Sequence, residues 1–317
     1  MFRSLMYSAL TPVIALLALL AGVIAFGGPA APTALDHIGE RIDRIDWRGL
    51  PTPQTYEARD GAALAYRAYS GDPAHVVLAL HGSGGSGTAL HPLARALNEA
   101  GATVIVPDIR GHGGSGRRGD VDYAGQVSDD IDDLRAVIAA EYPDARLTMI
   151  GFSMGGGLAL REAARAPVDR LILLSPYLAH DALPMVAVNP FAPDFAWAVP
   201  GVPRLIGLSI LNGLGINSFD HLTAVNLATR PQDADVVASS YTHRLLSSVQ
   251  PVDWRADLGA LPAAPVILVG AEDELHLAPA YAEAAPAADN RILPDTDHMG
   301  LILDEQAIKV IVAEAVK

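Results

Sequence analysis

From residue 54 onward, short apolar runs rich in β-branched residues alternate with segments of helical spacing. Leu64–Tyr69, Val76–Leu80, Thr103–Val106, Leu147–Ile150, Leu171–Leu174, Pro265–Val269 and Arg291–Leu293 read as strands. Between them, Thr88–Ala100, Asp129–Glu141, Met154–Ala166, Ala278–Ala288 and Glu305–Val316 read as helices. Gly101 is a stop for the first of these, and Ser128 is the expected N-cap of the second. Buried strands separated by helices predict a mostly parallel sheet covered on both faces. Ligands in such sheets bind beyond the C-terminal strand ends, so residues just after each strand carry the functional interest. The alternation breaks between Pro176 and Pro262, a proline-rich stretch of mixed helical pattern and no clear strand. Lying between two strands of one sheet, this stretch must loop out over one end, as a helical cap spanning residues 176–262.

The N-terminus follows a different pattern. No charge occurs from Leu5 to Phe26, and Val13–Phe26 reads VIALLALLAGVIAF. About 20 apolar residues suffice to cross a bilayer as a helix, although Ser8, Thr11 and Pro12 weaken the first third. A buried core helix is disfavoured because no polar face exists to meet water. An uncleaved membrane anchor over residues 1–27 is preferred to a cleaved signal, for which Ala25-Phe26-Gly27 offers a site. Arg3 precedes the span while Arg41, Arg44 and Arg48 follow it, so charge does not fix which side the rest occupies. Cleavage would instead give a secreted or periplasmic protein. Residues 28–53 are expected to be a linker to a catalytic domain over 54–317.

Composition narrows the chemistry. A formal net charge of −14 argues against nucleic acid as partner. The absence of cysteine excludes disulfides, thiol catalysis and thiolate metal sites.

Gly151-Phe152-Ser153-Met154-Gly155 is the one G-x-S-x-G of the chain. Arg146–Ile150 before it reads as a strand and the segment after it as a helix. That context matches a nucleophile elbow, in which flanking glycines permit a sharp strand-to-helix turn and the serine hydroxyl projects above the sheet. The adjoining helix N-terminus favours developing negative charge. A glycine-rich turn without function is the bland alternative.

Serine needs a base within hydrogen-bond reach. Of ten histidines, His298 lies shortly after the last strand and before the closing helix. The acid should follow an earlier strand; Asp273, three residues past Gly270, fits. Glu272, Glu274, Asp295 and Asp297 are its rivals. Its task would be to fix the imidazole tautomer and stabilise the imidazolium. His81–Gly87 follows the second strand as a glycine-rich loop. The backbone N–H groups of Ser83 and Met154 are expected to form an oxyanion hole. A dinucleotide fingerprint fits its letters but lacks the acid that would bind ribose. Asp108–Ser115 follows the next strand, and His112 there is read as structural support for the oxyanion turn.

These motifs, HGSGGSG, DIRGHGGS and GFSMG with the Asp273 and His298 loops, resemble the α/β-hydrolase superfamily. Within it the resemblance is to the serine aminopeptidase, monoacylglycerol lipase and lysophospholipase-like group, over about Tyr56–Lys317. The resemblance implies an α/β-hydrolase fold and hydrolysis of carboxylic esters of acyl glycerol or lysophospholipid type, with no metal or organic cofactor. Peptidase, amidase, thioesterase or acyltransferase activity on the same residues is the first alternative. A membrane-tethered binding protein without catalysis is the second, which the intact Ser153, Asp273 and His298 set argues against.

Overall fold

The computed structural model describes residues 2–178 and 196–317, with side chains from Pro12 onward. The strands in chain order are β1 (Gln54–Glu57), β2 (Ala63–Tyr69), β3 (Asp72–Leu80), β4 (Ala102–Pro107), β5 (Arg146–Phe152) and β6 (Arg170–Leu174). They are followed by β7 (Ala198–Pro200), β8 (Thr223–Leu227), β9 (Ser240–Thr242), β10 (Val266–Gly270) and β11 (Asp289–Leu293). The helices are α1 (Phe2–Phe26), α2 (Asp36–Asp43), α3 (His91–Glu99), α4 (Gln126–Glu141), α5 (Met154–Arg165) and α6 (Val202–Gly213). Then come α7 (His243–Val249), α8 (Trp254–Ala260), α9 (Ala278–Ala284), α10 (Gly300–Leu303) and α11 (Glu305–Ala315).

Eight strands form one sheet in the order β1-β2-β4-β3-β5-β6-β10-β11. β1 and β2 enter antiparallel; every pairing from β4 to β11 is parallel. Alternation along each strand divides the core in two. Val76, Leu78 and Leu80 of β3 face one apolar layer, Val77 and Ala79 the other. β10 repeats this, with Ile267 and Val269 on the first side and Val266 and Leu268 on the second. A strand wetted on neither face needs apolar residues at every position, which is why these strands read as unbroken runs. At about 25 cal/mol per Å² of apolar area removed from water, these two layers supply the main favourable term in folding.

The expected helical cap is corrected in kind. Between β6 and β10 the described residues include a three-stranded antiparallel sheet, β7-β8-β9, beside α6, α7 and α8. Strands of three to five residues are too short to show a period, and prolines at 200 and 203 mask them further. Residues 179–195 of the proposed cap lie outside the described residues. The N-cap of α4 is Gly125, in the left-handed region at φ 95°, not Ser128. Ser128 instead donates its hydroxyl to Glu162 at 2.7 Å.

The expected N-terminal transmembrane helix finds no support: among the described residues no helix is long and apolar enough to cross a membrane. The last turns of α1 pack on protein, while Val13, Ile14, Leu16, Leu17 and Leu19 are exposed. Ile24 is buried against Leu208 and Leu211 of α6, and the Arg204 guanidinium donates to the Ile24 and Ala25 carbonyls at 2.8 and 3.0 Å. The stretch read as a linker also carries structure. Leu35, Ile38 and Ile42 recur at helical spacing on one face of the α2 region, and Ile38 and Ile42 pack on the second apolar layer.

Candidate active site

Five strands deliver the site from their C-terminal ends. β5 runs directly into Ser153, whose backbone sits at φ 54° and ψ −117°, a costly region for a residue with a side chain. The glycines around it are dictated by contact. A Cβ at Gly151 would collide with the Gly155 carbonyl oxygen, and one at Gly155 with the Leu80 carbonyl oxygen. The turn is held by hydrogen bonds from Ser153 N to Leu174 O and from Tyr177 N to Ser153 O, each 2.8 Å.

β11 leads to His298 and β10 to Asp273. The His298 Nδ1–H donates to Asp273 Oδ2 at 2.9 Å, and both residues are buried. The other carboxylate oxygen accepts the backbone N–H groups of Leu275 and His276 at 2.9 and 2.8 Å. Burial alone would raise the Asp273 pKa. The neighbouring His298 and His276 and the Ser175 hydroxyl overcome it and hold the carboxyl well below its ordinary value. The four rival acids are placed elsewhere or serve other groups. Glu274 accepts the backbone N–H of His298 at 3.0 Å, and Asp297 accepts that of Gly300 at 2.6 Å. Asp295 occupies a left-handed turn position at φ 50°, and the Glu272 backbone N–H donates to Thr296 O.

Two contacts were not read from the sequence. Ser175, at the end of β6 with φ 40°, donates its hydroxyl to Asp273 Oδ2 at 2.5 Å. A lone serine after a strand gives no signal of this. His276 lies with its ring 5.1 Å from that of His298, and burial together with the His298 charge lowers its pKa to about 3. It is therefore neutral at neutral pH and adds no charge against an imidazolium at His298.

The loop after β3 carries Ser83, and the helix opened by Met154 follows Ser153. Ser83, Ser153 and Met154 line one cavity of about 900 Å³. A second cavity of about 240 Å³ shares Ser83 and Ser153 and adds His298. The structure thus brings all five sequence-predicted residues to one place. Behind the Ser83 loop stands a buried chain of contacts. His81 Nδ1–H donates to the Gly82 carbonyl at 2.7 Å, and its Nε2 accepts the Ile109 N–H at 3.1 Å. His112 stacks edge-on to His81 at 5.1 Å, and its Nε2 accepts the Tyr241 hydroxyl at 2.6 Å. Tyr241 in turn accepts the Gly84 N–H at 2.8 Å. Burial pushes His81 down to about 4 and His112 to about 3. His112 thus sits behind the Ser83 loop, bound to the tyrosine that holds Gly84.

Asp273, His276 and His298 place one ligand atom each within 4.8 Å of one another, a geometry that could admit a metal ion. The carboxylate there is already saturated by four donors, so no lone pair is left over for an ion.

A serine on a strained strand-to-helix turn, lining one cavity with a histidine that a buried aspartate holds, above a parallel sheet, defines a serine hydrolase of the α/β-hydrolase superfamily. Residues 71–260 match the family model described as "Serine aminopeptidase, S33", and the chain belongs to that family. It is 29% identical over 257 residues to an uncharacterised protein of Mycobacterium tuberculosis, covering 74% of this chain and 72% of that one. It is 32% identical over 138 residues to the monoacylglycerol lipase of Mycolicibacterium smegmatis, 42% of this chain and 48% of that one. In fold it is similar to an esterase from Exiguobacterium antarcticum, with a TM-score of 0.56 and 18% identity over 84% of this chain and 100% of that one.

Proposed function

We propose that the chain cleaves carboxylic esters of acyl glycerol or lysophospholipid type through an acyl-enzyme on Ser153. The observation that carries this reading is the buried 2.9 Å contact of His298 with Asp273, beside a cavity that His298 lines together with Ser153. Ser153 Oγ attacks the ester carbonyl as His298 Nε2 takes its proton; Asp273 keeps Nδ1–H on the far side of the ring and steadies the imidazolium. The backbone N–H groups of Ser83 and Met154 hold the oxyanion, each such donor being worth about 10²–10³ in turnover. The alcohol leaves with the proton from His298. Water, deprotonated by the same imidazole, then releases the acid and restores Ser153.

The larger cavity favours a lipid-like acyl chain. Leu205, Ile206, Ile210, Val225 and Leu246 are among its lining residues, and no carboxylate is found among the described ones. An aminopeptidase must hold a substrate ammonium, which calls for an acidic side chain at the site. The larger cavity suits an apolar acyl chain, and the monoacylglycerol lipase relative points the same way; in the smaller one Asp43 and Asp233 are paired with Arg230.

A fluorophosphonate probe tests the nucleophile. It should label folded protein at Ser153 and fail to label Ser153→Ala, which should lose esterase activity at nearly unchanged melting temperature. Esterase activity persisting in Ser153→Ala refutes the assignment.

A further inference from the structure

The two cavities meet at the nucleophile but are not equivalent. They share Ser83, Ser153, Trp197 and Leu275. The Trp197 indole N–H donates to Ser83 Oγ at 2.7 Å, which stands the ring between them as a partition. His298 lines only the smaller cavity and Met154 only the larger. In ester cleavage the histidine must hand a proton to the departing oxygen, so the leaving group lies on the histidine side. The acyl chain then runs the other way, past Met154 and beneath the cap.

The smaller cavity has an unexpected wall. Leu35, Ile38 and Ile42 come from α2 and the residue before it, upstream of the stretch matched by the family model. α2 is fastened on both sides. Toward the cap, the Leu35 N–H donates to Ala228 O at 3.0 Å and the Asp43 carboxylate accepts Arg230 at 2.7 and 2.9 Å. Toward the histidine loop, Arg41 donates to Asp297 at 2.9 Å and to Asp304 at 3.0 Å. His37 lies 3.2 Å from Glu274, the residue that accepts the backbone N–H of His298. Among the described lining residues the one guanidinium, Arg230, is spent on Asp43 and Asp233, which leaves none of them as a free cation for an anionic leaving group.

We propose that α2 is a specificity-determining element that closes the leaving-group compartment, so that the chain prefers esters joining a long acyl group to a compact, uncharged alcohol, which of the two ester types selects acyl glycerols over lysophospholipids. This rests on the ester-hydrolase reading above. The test uses the full chain and two matched ester series: octanoates of methanol, butanol and benzyl alcohol, and butyl esters of acetate and octanoate. Ile38→Trp should lower the ratio of kcat/KM for benzyl to that for methyl octanoate by roughly tenfold, and Ile38→Ala should raise it, as pocket-filling changes of this size do. Ile210→Trp, in the larger cavity, should instead lower the octanoate-to-acetate ratio. The inference is overturned if the two sites exchange effects, or if both Ile38 variants leave the alcohol ratio within about twofold. A wild-type chain that takes the fluorophosphonate yet turns over no ester refutes the ester reading and, with it, this inference.

Discussion

Asp273 shows how one carboxylate is made fit for its task. Four hydrogen-bond donors converge on two oxygens, one of them the Ser175 hydroxyl, and the group stays ionised in spite of burial. Asp273→Asn removes the charge and offers an amide in place of an acceptor, which turns the imidazole to the wrong tautomer. We expect kcat to fall by about 10⁴ with little change in KM, measured by steady-state ester hydrolysis. A fall of less than about tenfold would show that another acid orients His298. The sequence singled out Asp273 by its place after a strand, yet could not separate it from Glu274 except by reach. The structure separates them by direction, because Glu274 faces the backbone N–H of His298 rather than its ring.

Among elements, the loop after β3 depends on partners far away in sequence. Gly84 is held by Tyr241 of β9, and Tyr241 by His112. Tyr241→Phe leaves the Gly84 N–H and the His112 Nε2 without partners in a buried space. The expected cost is about 1–3 kcal/mol in unfolding free energy, read from denaturant curves, because an unmet buried polar group loses its full hydration. Loosening the Ser83 loop should also lower kcat more than it raises KM. Unchanged kcat would mean that the loop is rigid without this support. The histidine and glycine spacing of the two loops was legible in sequence, whereas the tyrosine was not. It lies on a three-residue strand inside a stretch read as helical, and its partners are 129 and 157 residues distant.

For the whole molecule, the buried neutral histidines couple stability to pH. His81, His112 and His276 have folded pKa values of about 4, 3 and 3, below the ordinary value of 6.5. Between pH 6.5 and those values the unfolded chain binds more protons, so stability rises with pH there. The contribution is complete above pH 6.5 and is lost as pH falls toward 3–4, at up to about 1.4 kcal/mol per pH unit for each histidine. The depressed carboxyl of Asp273 adds in the same direction below about pH 4. We expect the unfolding free energy, from urea titrations, to drop steadily between pH 6 and 5. His112→Gln should reduce that slope by about one proton, ~1.4 kcal/mol per pH unit. An unchanged slope would show that His112 is not held neutral.

The sequence by itself determined the parallel sheet, the elbow at Ser153 and the loops that bear Asp273 and His298. Each follows from local rules: doubly buried strands demand unbroken apolar runs, and a strained turn demands glycine on either side. Tertiary structure alone decided the rest. α2 and the residue before it present three apolar residues in a stretch that reads as linker, and only the contacts of α2 with Arg230, Asp297 and Asp304 make it a wall of the site. The cap strands, Trp197 and Ser175 likewise gain meaning from partners remote in sequence. Hydrogen bonds across such distances leave no period along the chain, and nothing local distinguishes a residue that makes one.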